Sequence, residues 1–199
     1  MTVKENVDQV RDLRNETGAG IMDCKRALVE AQGNLQTAKD LLRKRGFEIA
    51  KKKSGRDVKE GQIFSYIHLG GKIGVLVEVN CETDFVARNS EFQQFGRDVA
   101  MQIAAAHPFF VSREEIDPQW VESEKEVFRS QIKGKPAKIQ GQIVQGKLEK
   151  RFEEVCLLDQ KFIKDENQKV QDLLTNLISK LGERVVIKRF RRFEIGRES

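Results

Sequence analysis

Apolar positions along the chain recur at two periods, and each period predicts a kind of element. Spacings of three and four mark amphipathic helices. They occur at Val7, Val10 and Leu13, at Cys24, Ala27, Leu28 and Ala31, and at Leu35, Ala38, Leu41 and Leu42. They return at Phe92, Phe95, Val99, Ile103 and Ala106, and most fully at Val170, Leu173, Leu174, Leu177, Ile178 and Leu181. Alternation at spacing two marks half-buried strands. Ile63, Ser65, Ile67 and Leu69 oppose Phe64, Tyr66 and His68, and the alternation resumes at Ile73, Val75, Val77 and Val79. Gly70-Gly71 between them reads as a two-residue hairpin turn. Val185, Val186 and Ile187 open a last strand through Phe190, Phe193 and Ile195, with Lys188, Arg189, Arg191 and Arg192 as a basic edge.

Breakers and caps divide these elements into domains. Thr17-Gly18-Ala19-Gly20 separates the first two helices, Gly33 and Asn34 suit a C-cap and an N-cap, and Gly46 is read as the end of the third helix. Residues 1–50 are therefore expected to form a small three-helix domain whose thin core suits it to displaying a surface. Residues 51–60, with Lys51-Lys52-Lys53-Ser54-Gly55-Arg56, read as a solvated basic linker. Residues 61–116 carry the hairpin and the helix that follows it, whose start Ser90 and Gln93 mark by capping-box spacing. Asp117-Pro118 opens an insertion over 117–156. Trp120, Val121, Val127, Phe128 and Ile132 form one narrow seam, Gly134-Lys135-Pro136 turns the chain, and Ile143, Val144, Leu148, Phe152 and Val155 form a second. That pattern predicts an antiparallel helical hairpin. Residues 157–199 complete the core, beginning with a connection that holds Phe162-Ile163. The fold class is α+β: a three-stranded antiparallel sheet covered on one face by helices, with the helical hairpin inserted.

Composition narrows the chemistry. The chain has 199 residues, 36 of them Lys or Arg and 31 Asp or Glu, for a net charge of +5. That mild basicity suits an acidic protein partner or nucleic acid equally. No apolar run is long enough to span a bilayer, and the N-terminus lacks a signal pattern, so the chain is expected to stay where it is made. Cys24, Cys81 and Cys156 are odd in number and far apart, which argues for a reducing compartment and against a zinc cage or disulfide framework. Two glycine-bearing stretches imitate phosphate loops. Thr17–Gly20 joins two helices and lacks the Lys-Ser/Thr ending. Gly141–Leu148 puts Leu148 where a Mg²⁺-binding hydroxyl belongs. His68 and His107 have no nucleophile beside them, and the scattered acidic residues form no acid/base pair. The residues point to an adaptor working through surfaces, with no cofactor, no metal and no bound nucleotide.

One stretch stands apart. Asn80 to Asn89 links the strongest strand signal to a strong helix signal, yet it carries Phe85 and Val86 in a polar turn. Such residues either plug the local core or fill a partner's pocket, and the ten residues alone favour the plug.

Three segments carry a resemblance to the elongation factor Ts family. Val10 to Leu28 (VRDLRNETGAGIMDCKRAL) looks like the family's N-terminal signature. Glu78 to Arg88 (EVNCETDFVAR) looks like its second signature. Gly74 to Val79 with Arg192 to Gly196 is similar to the ends of its core. The resemblance covers essentially the whole chain and favours its short form, with one sheet-and-helix unit in place of two repeats. It implies a guanine nucleotide exchange factor for elongation factor Tu. The N-terminal domain would be ubiquitin-associated-like and dock on the GTPase through Val10, Leu13, Arg14, Ile21 and Met22. Thr83, Asp84, Phe85 and Val86 would form the second contact, Phe85 wedging near the GTPase's Mg²⁺ and loosening it. His68 would lie where the core approaches a distal domain. The short form further implies a homodimer or a two-to-two complex, and leaves open whether Cys156 bridges the copies. The compartment would be bacterial cytosol or plastid stroma. The reading that competes is a basic RNA- or ribosome-binding module using the lysine run and the 188–192 strand.

Overall fold

A computed structural model describes residues 7–132 and 136–197. Helices α1 (Val7–Thr17), α2 (Ile21–Glu30) and α3 (Leu35–Lys53) open the chain. Leu13, Cys24, Ala27 and Ala38 close their shared core completely, and Val10, Leu35 and Leu41 pack around it. Asn34 starts α3 by accepting the Thr37 N–H at 2.9 Å. The helix does not stop at Gly46. That residue is buried, and a Cβ there would lie 3.2 Å from Thr175 Cγ2, so glycine serves a close approach and not a termination. Lys51, Lys52 and Lys53, expected in a linker, form the last turn of α3. Positive charge is favoured there by the carbonyl end of the helix dipole. Only residues 54–59 connect onward.

Strands β1 (Glu60–Ile67) and β2 (Ile73–Cys81) lead to a single helical turn, α4 (Asp84–Ala87), and to α5 (Ser90–Ala106). Helices α6 (Pro118–Gln131) and α7 (Ala137–Val155) follow, then strands β3 (Lys161–Phe162) and β4 (Asp165–Lys169), helix α8 (Val170–Leu181) and strand β5 (Val185–Glu194). Strands β1, β2 and β5 form a three-stranded antiparallel sheet in that order. The β1–β2 turn is longer than two residues. His68 N–H donates to the Ile73 carbonyl and the Gly71 N–H to the His68 carbonyl, both at 2.9 Å. Gly70 takes φ 89° inside that turn, a region closed to most side chains.

Val75, Val77 and Val79 point inward from β2, and β1 contributes Phe64. Helix α5 packs on that face: the Phe64 and Phe92 rings lie 5.8 Å apart, and Phe64 fills the space a side chain at Gly96 would need. Helix α5 begins at Ser90 as expected, but its cap is Asn89, whose Oδ1 accepts the Glu91 N–H at 2.8 Å. At the far end of the sheet the Arg192 guanidinium donates to the Ala104 carbonyl at 3.3 Å.

The α6–α7 hairpin is zipped by Trp120, Val121 and Phe128 against Leu148, Phe152 and Val155. Val127 falls outside the expected seam and is exposed. Arg113 secures the base: it stacks on Phe152 and donates to both oxygens of Asp159 at 3.0 and 2.8 Å and to Glu149 at 2.8 Å. The Gly134-Lys135 turn lies outside the described residues, and Pro136 precedes α7. The expected plain connection over 157–168 is instead a 3-10 turn, Leu157–Asp159, and the small hairpin β3–β4. Buried Gln102 organises it, donating to Gln160 Oε1 and the Lys161 carbonyl at 3.1 Å and accepting the Ile163 N–H at 2.9 Å.

The chain divides into two compact units. One gathers the segment up to Phe64 with Glu78–Gly96 and Asp172–Ile187. The other gathers Ser65–Val77, Arg97–Gln171 and the segment from Lys188. Among the described residues, no helix is long and apolar enough to cross a membrane.

Candidate partner-binding site

The first unit holds both stretches expected to meet a partner. After β2, Thr83 takes an extended backbone (φ −130°, ψ 156°) and α4 makes one turn. That turn separates its two apolar residues. Val86 is buried, and Phe85 is 80% exposed. The plug reading of Phe85 is thereby overturned: α4 aims it outward, and Val86 and Ala87 fill the core beneath. Asp84 is half-buried and pairs with Arg88 one turn on, at 2.6 Å.

Thr83 does not face outward as a free contact. Its N–H donates to Glu183 Oε2 at 3.0 Å and its hydroxyl to Glu183 Oε1 at 2.8 Å. The same hydroxyl accepts the Val86 N–H over a long 3.4 Å. Beside it, Glu82 accepts the Arg184 N–H at 2.6 Å and pairs with Arg56 at 3.1 Å. These interactions hold the Glu82 carboxyl below its usual range, the Arg184 N–H first and Arg56 after it. Cys81 donates its thiol to the Thr83 carbonyl at 3.1 Å. Burial, helped by the Glu183 carboxylate, pushes that thiol up to about 11, so it stays protonated. Glu82 lies inside the singled-out stretch but carries no expected role there, and Glu183 and Arg184 have no mark in the sequence: single charged residues about a hundred positions apart form no motif.

The three-helix domain displays a second apolar surface. Ile21 and Met22, at the start of α2, are 57% and 61% exposed, and Arg14 is exposed on α1. Leu13 is wholly buried and Val10 half-buried, so Leu13 supports this surface from beneath and cannot form part of it. His68 lies in the other unit, one residue past β1, exposed, its Nδ1 3.1 Å from the Tyr66 hydroxyl. Among the described residues, no group of His, Cys, Asp and Glu gathers as a metal site. Cys24, Cys81 and Cys156 are free and buried.

Comparison with known proteins bears on these surfaces. A family model described as Elongation factor TS matches residues 36–197. The chain is 53% identical over 188 residues to a protein named Elongation factor Ts in Thermodesulfovibrio yellowstonii, covering 94% of each. It is 54% identical over 189 residues to one so named in Carboxydothermus hydrogenoformans, covering 94% of this chain and 87% of that one. It is 51% identical over 191 residues to one in Thermotoga petrophila, covering 96% of each.

Proposed function

The chain belongs to the elongation factor Ts family, and from that premise we propose that it is the guanine nucleotide exchange factor of elongation factor Tu, with Phe85 as the wedge that loosens the GTPase's Mg²⁺. The observation that carries the wedge is the exposure of a large aromatic ring on a turn whose other apolar residue is buried. An unsupported exposed Phe contributes nothing to folding, whereas an aromatic ring that enters a partner's pocket is a typical binding anchor.

The physical requirement is modest. GDP and Mg²⁺ bind the GTPase together through a shared charged shell. A factor that binds the ion-depleted form more tightly must weaken GDP by the same coupling factor. No bond is made or broken, so no catalytic side chain is needed. Ile21, Met22 and Arg14 supply docking that is indifferent to the nucleotide, and Phe85 supplies the part that is not. Asp84 exchanges its Arg88 partner for a group of the GTPase. His68 is a further contact of the core. The factor works where elongation runs, which in a bacterium is the cytosol, and its likeness to bacterial relatives supports that reading.

Two copies take part. The outer sheet face carries Ile67, Leu76 and Phe193, one from each strand and all exposed, and pairing two such faces buries them. Cys156 does not bridge the copies, because it is wholly buried against Leu148, Phe152 and Val155.

The decisive experiment is stopped-flow release of a fluorescent GDP from elongation factor Tu. Wild type accelerates release, and Phe85→Ala loses about 2–4 kcal/mol of coupling, the scale of a buried aromatic anchor. Equal rates would move the wedge to Asp84 or the docking domain. No acceleration by wild type would sink the exchange reading.

A further inference from the structure

Helix α4 is too short to hold its own shape. Four residues close barely one turn, and helix nucleation is unfavourable until several turns follow. Its capping hydrogen bond from Val86 is long, at 3.4 Å. Val86 and Ala87 anchor it in the core, Gln93 donates to the Ala87 carbonyl at 2.6 Å, and a further hold comes from the α8–β5 connection. Gly182 ends α8 at φ 69°, and this left-handed residue turns the chain so that Glu183 faces Thr83. Both Glu183 oxygens are engaged by the N–H and hydroxyl of Thr83. The next residue, Arg184, donates its N–H to Glu82 and a guanidinium N–H to the Arg56 carbonyl.

The same connection also grips the docking domain. Lys53 at the end of α3 donates to the Gly182 carbonyl. Earlier along α8, Arg43 of α3 pairs with Asp172 at 3.0 Å. Lys180 lies over Gly18, where a Cβ would come 2.3 Å from its Nζ, and pairs with Glu91 of α5 at 3.1 Å. The turn bearing Phe85 and the three-helix domain bearing Ile21 and Met22 are thus both tied to the stretch Lys180–Arg184, with Asp172 as a further tie to α3.

We propose that Glu183 is a positioning residue for exchange: its two-oxygen grip on Thr83 holds the α4 turn so that Phe85 meets the GTPase already ordered. This inference rests on the exchange reading above. An unlatched turn must be ordered as it docks, and that cost falls on the step where the wedge enters, not on the initial docking through α2. The two effects separate kinetically. Loss of Glu183 lowers the rate of GDP release at saturating factor and leaves the half-saturating concentration in place.

The test compares wild type, Glu183→Ala, Glu183→Gln, Thr83→Val, Thr83→Ser and the Glu183→Ala/Thr83→Val double variant, as full-length chains with elongation factor Tu and fluorescent GDP. Folded fraction is measured by circular dichroism so that rates are expressed per folded molecule. Glu183→Ala is expected to lower the saturated rate on the order of tenfold, the scale of one charge-assisted hydrogen bond. The half-saturating concentration stays within about twofold. Glu183→Gln, which keeps size and one acceptor, falls between. Thr83→Ser restores the rate that Thr83→Val loses, and the double variant is no slower than the slower single one, since both remove the same contact. Backbone amides of 84–88 exchange faster with deuterium in Glu183→Ala.

A saturated rate per folded molecule equal to wild type in Glu183→Ala and Glu183→Gln would overturn the proposal. So would a loss confined to the half-saturating concentration, which would make Glu183 a docking contact, or strict additivity of the two single losses. A wild type that fails to accelerate GDP release from elongation factor Tu defeats the exchange reading itself, an outcome distinct from any of these.

Discussion

Phe85 and Val86 are neighbours of similar character with opposite surroundings, and the difference decides what each substitution does. Phe85→Ala removes a ring that touches water, so its melting temperature should stay within about a degree of wild type while exchange falls. Val86→Ala empties a buried site and should cost about 1–3 kcal/mol, read by chemical denaturation. Leu13→Ala should cost more, about 2–5 kcal/mol, because that side chain is the centre of the three-helix core. Glu82 makes a prediction in pH. Its folded-state pKa lies below the ordinary 4.5, so the stability it contributes is fully present above that value and lost as pH falls through the folded one. The wild-type melting temperature should therefore drop faster than that of Glu82→Gln between about pH 5 and 3, with the gap between them closing at the acid end.

At the scale of elements, the long periodic stretches were legible and the short ones were not. Val170 to Leu181 reads as a helix at every step, and Val75, Val77 and Val79 as a half-buried strand, because burial imposes the period. The β3–β4 hairpin left no such trace. Asp165-Glu166-Asn167-Gln168-Lys169 is polar throughout, and the hairpin is held on its β3 side, at Lys161 and Ile163, by a buried glutamine on α5. Gly46 read as a stop because glycine weakens helices, but the packing of Thr175 on it outweighs about 1 kcal/mol of propensity. The site was half-legible in the same way. Thr83 to Val86 and Ile21-Met22 lie in stretches that resemble the family's signatures, while the outward aim of Phe85 and the grip of Glu183 depend on contacts no local pattern encodes. Gly96 gives a sharp test of the α5–sheet contact. A Cβ there would lie 2.2 Å from the Phe64 ring, backed by Phe92. Gly96→Ala should cost about 1–3 kcal/mol through overpacking, and Phe64→Leu in the same chain should recover part of it.

At the scale of the whole molecule, each compact unit is assembled from segments distant in sequence, so neither is a simple stretch of chain. Sedimentation equilibrium checks the pairing of copies. Wild type should sediment as a dimer, Phe193→Glu as a monomer, and Cys156→Ser as wild type with or without reductant. The latch between Thr83 and Glu183 has a consequence in time as well as in space. Ribosomes add residues at about 5–20 per second, so the hundred positions separating the two take about 5–20 s to synthesise. Through that interval a growing polypeptide presents Phe85 on an unfastened turn, beside the very machinery its future partner serves. Until Glu183 emerges, such a chain would dock through α2 yet drive GDP release slowly, as Glu183→Ala is expected to do.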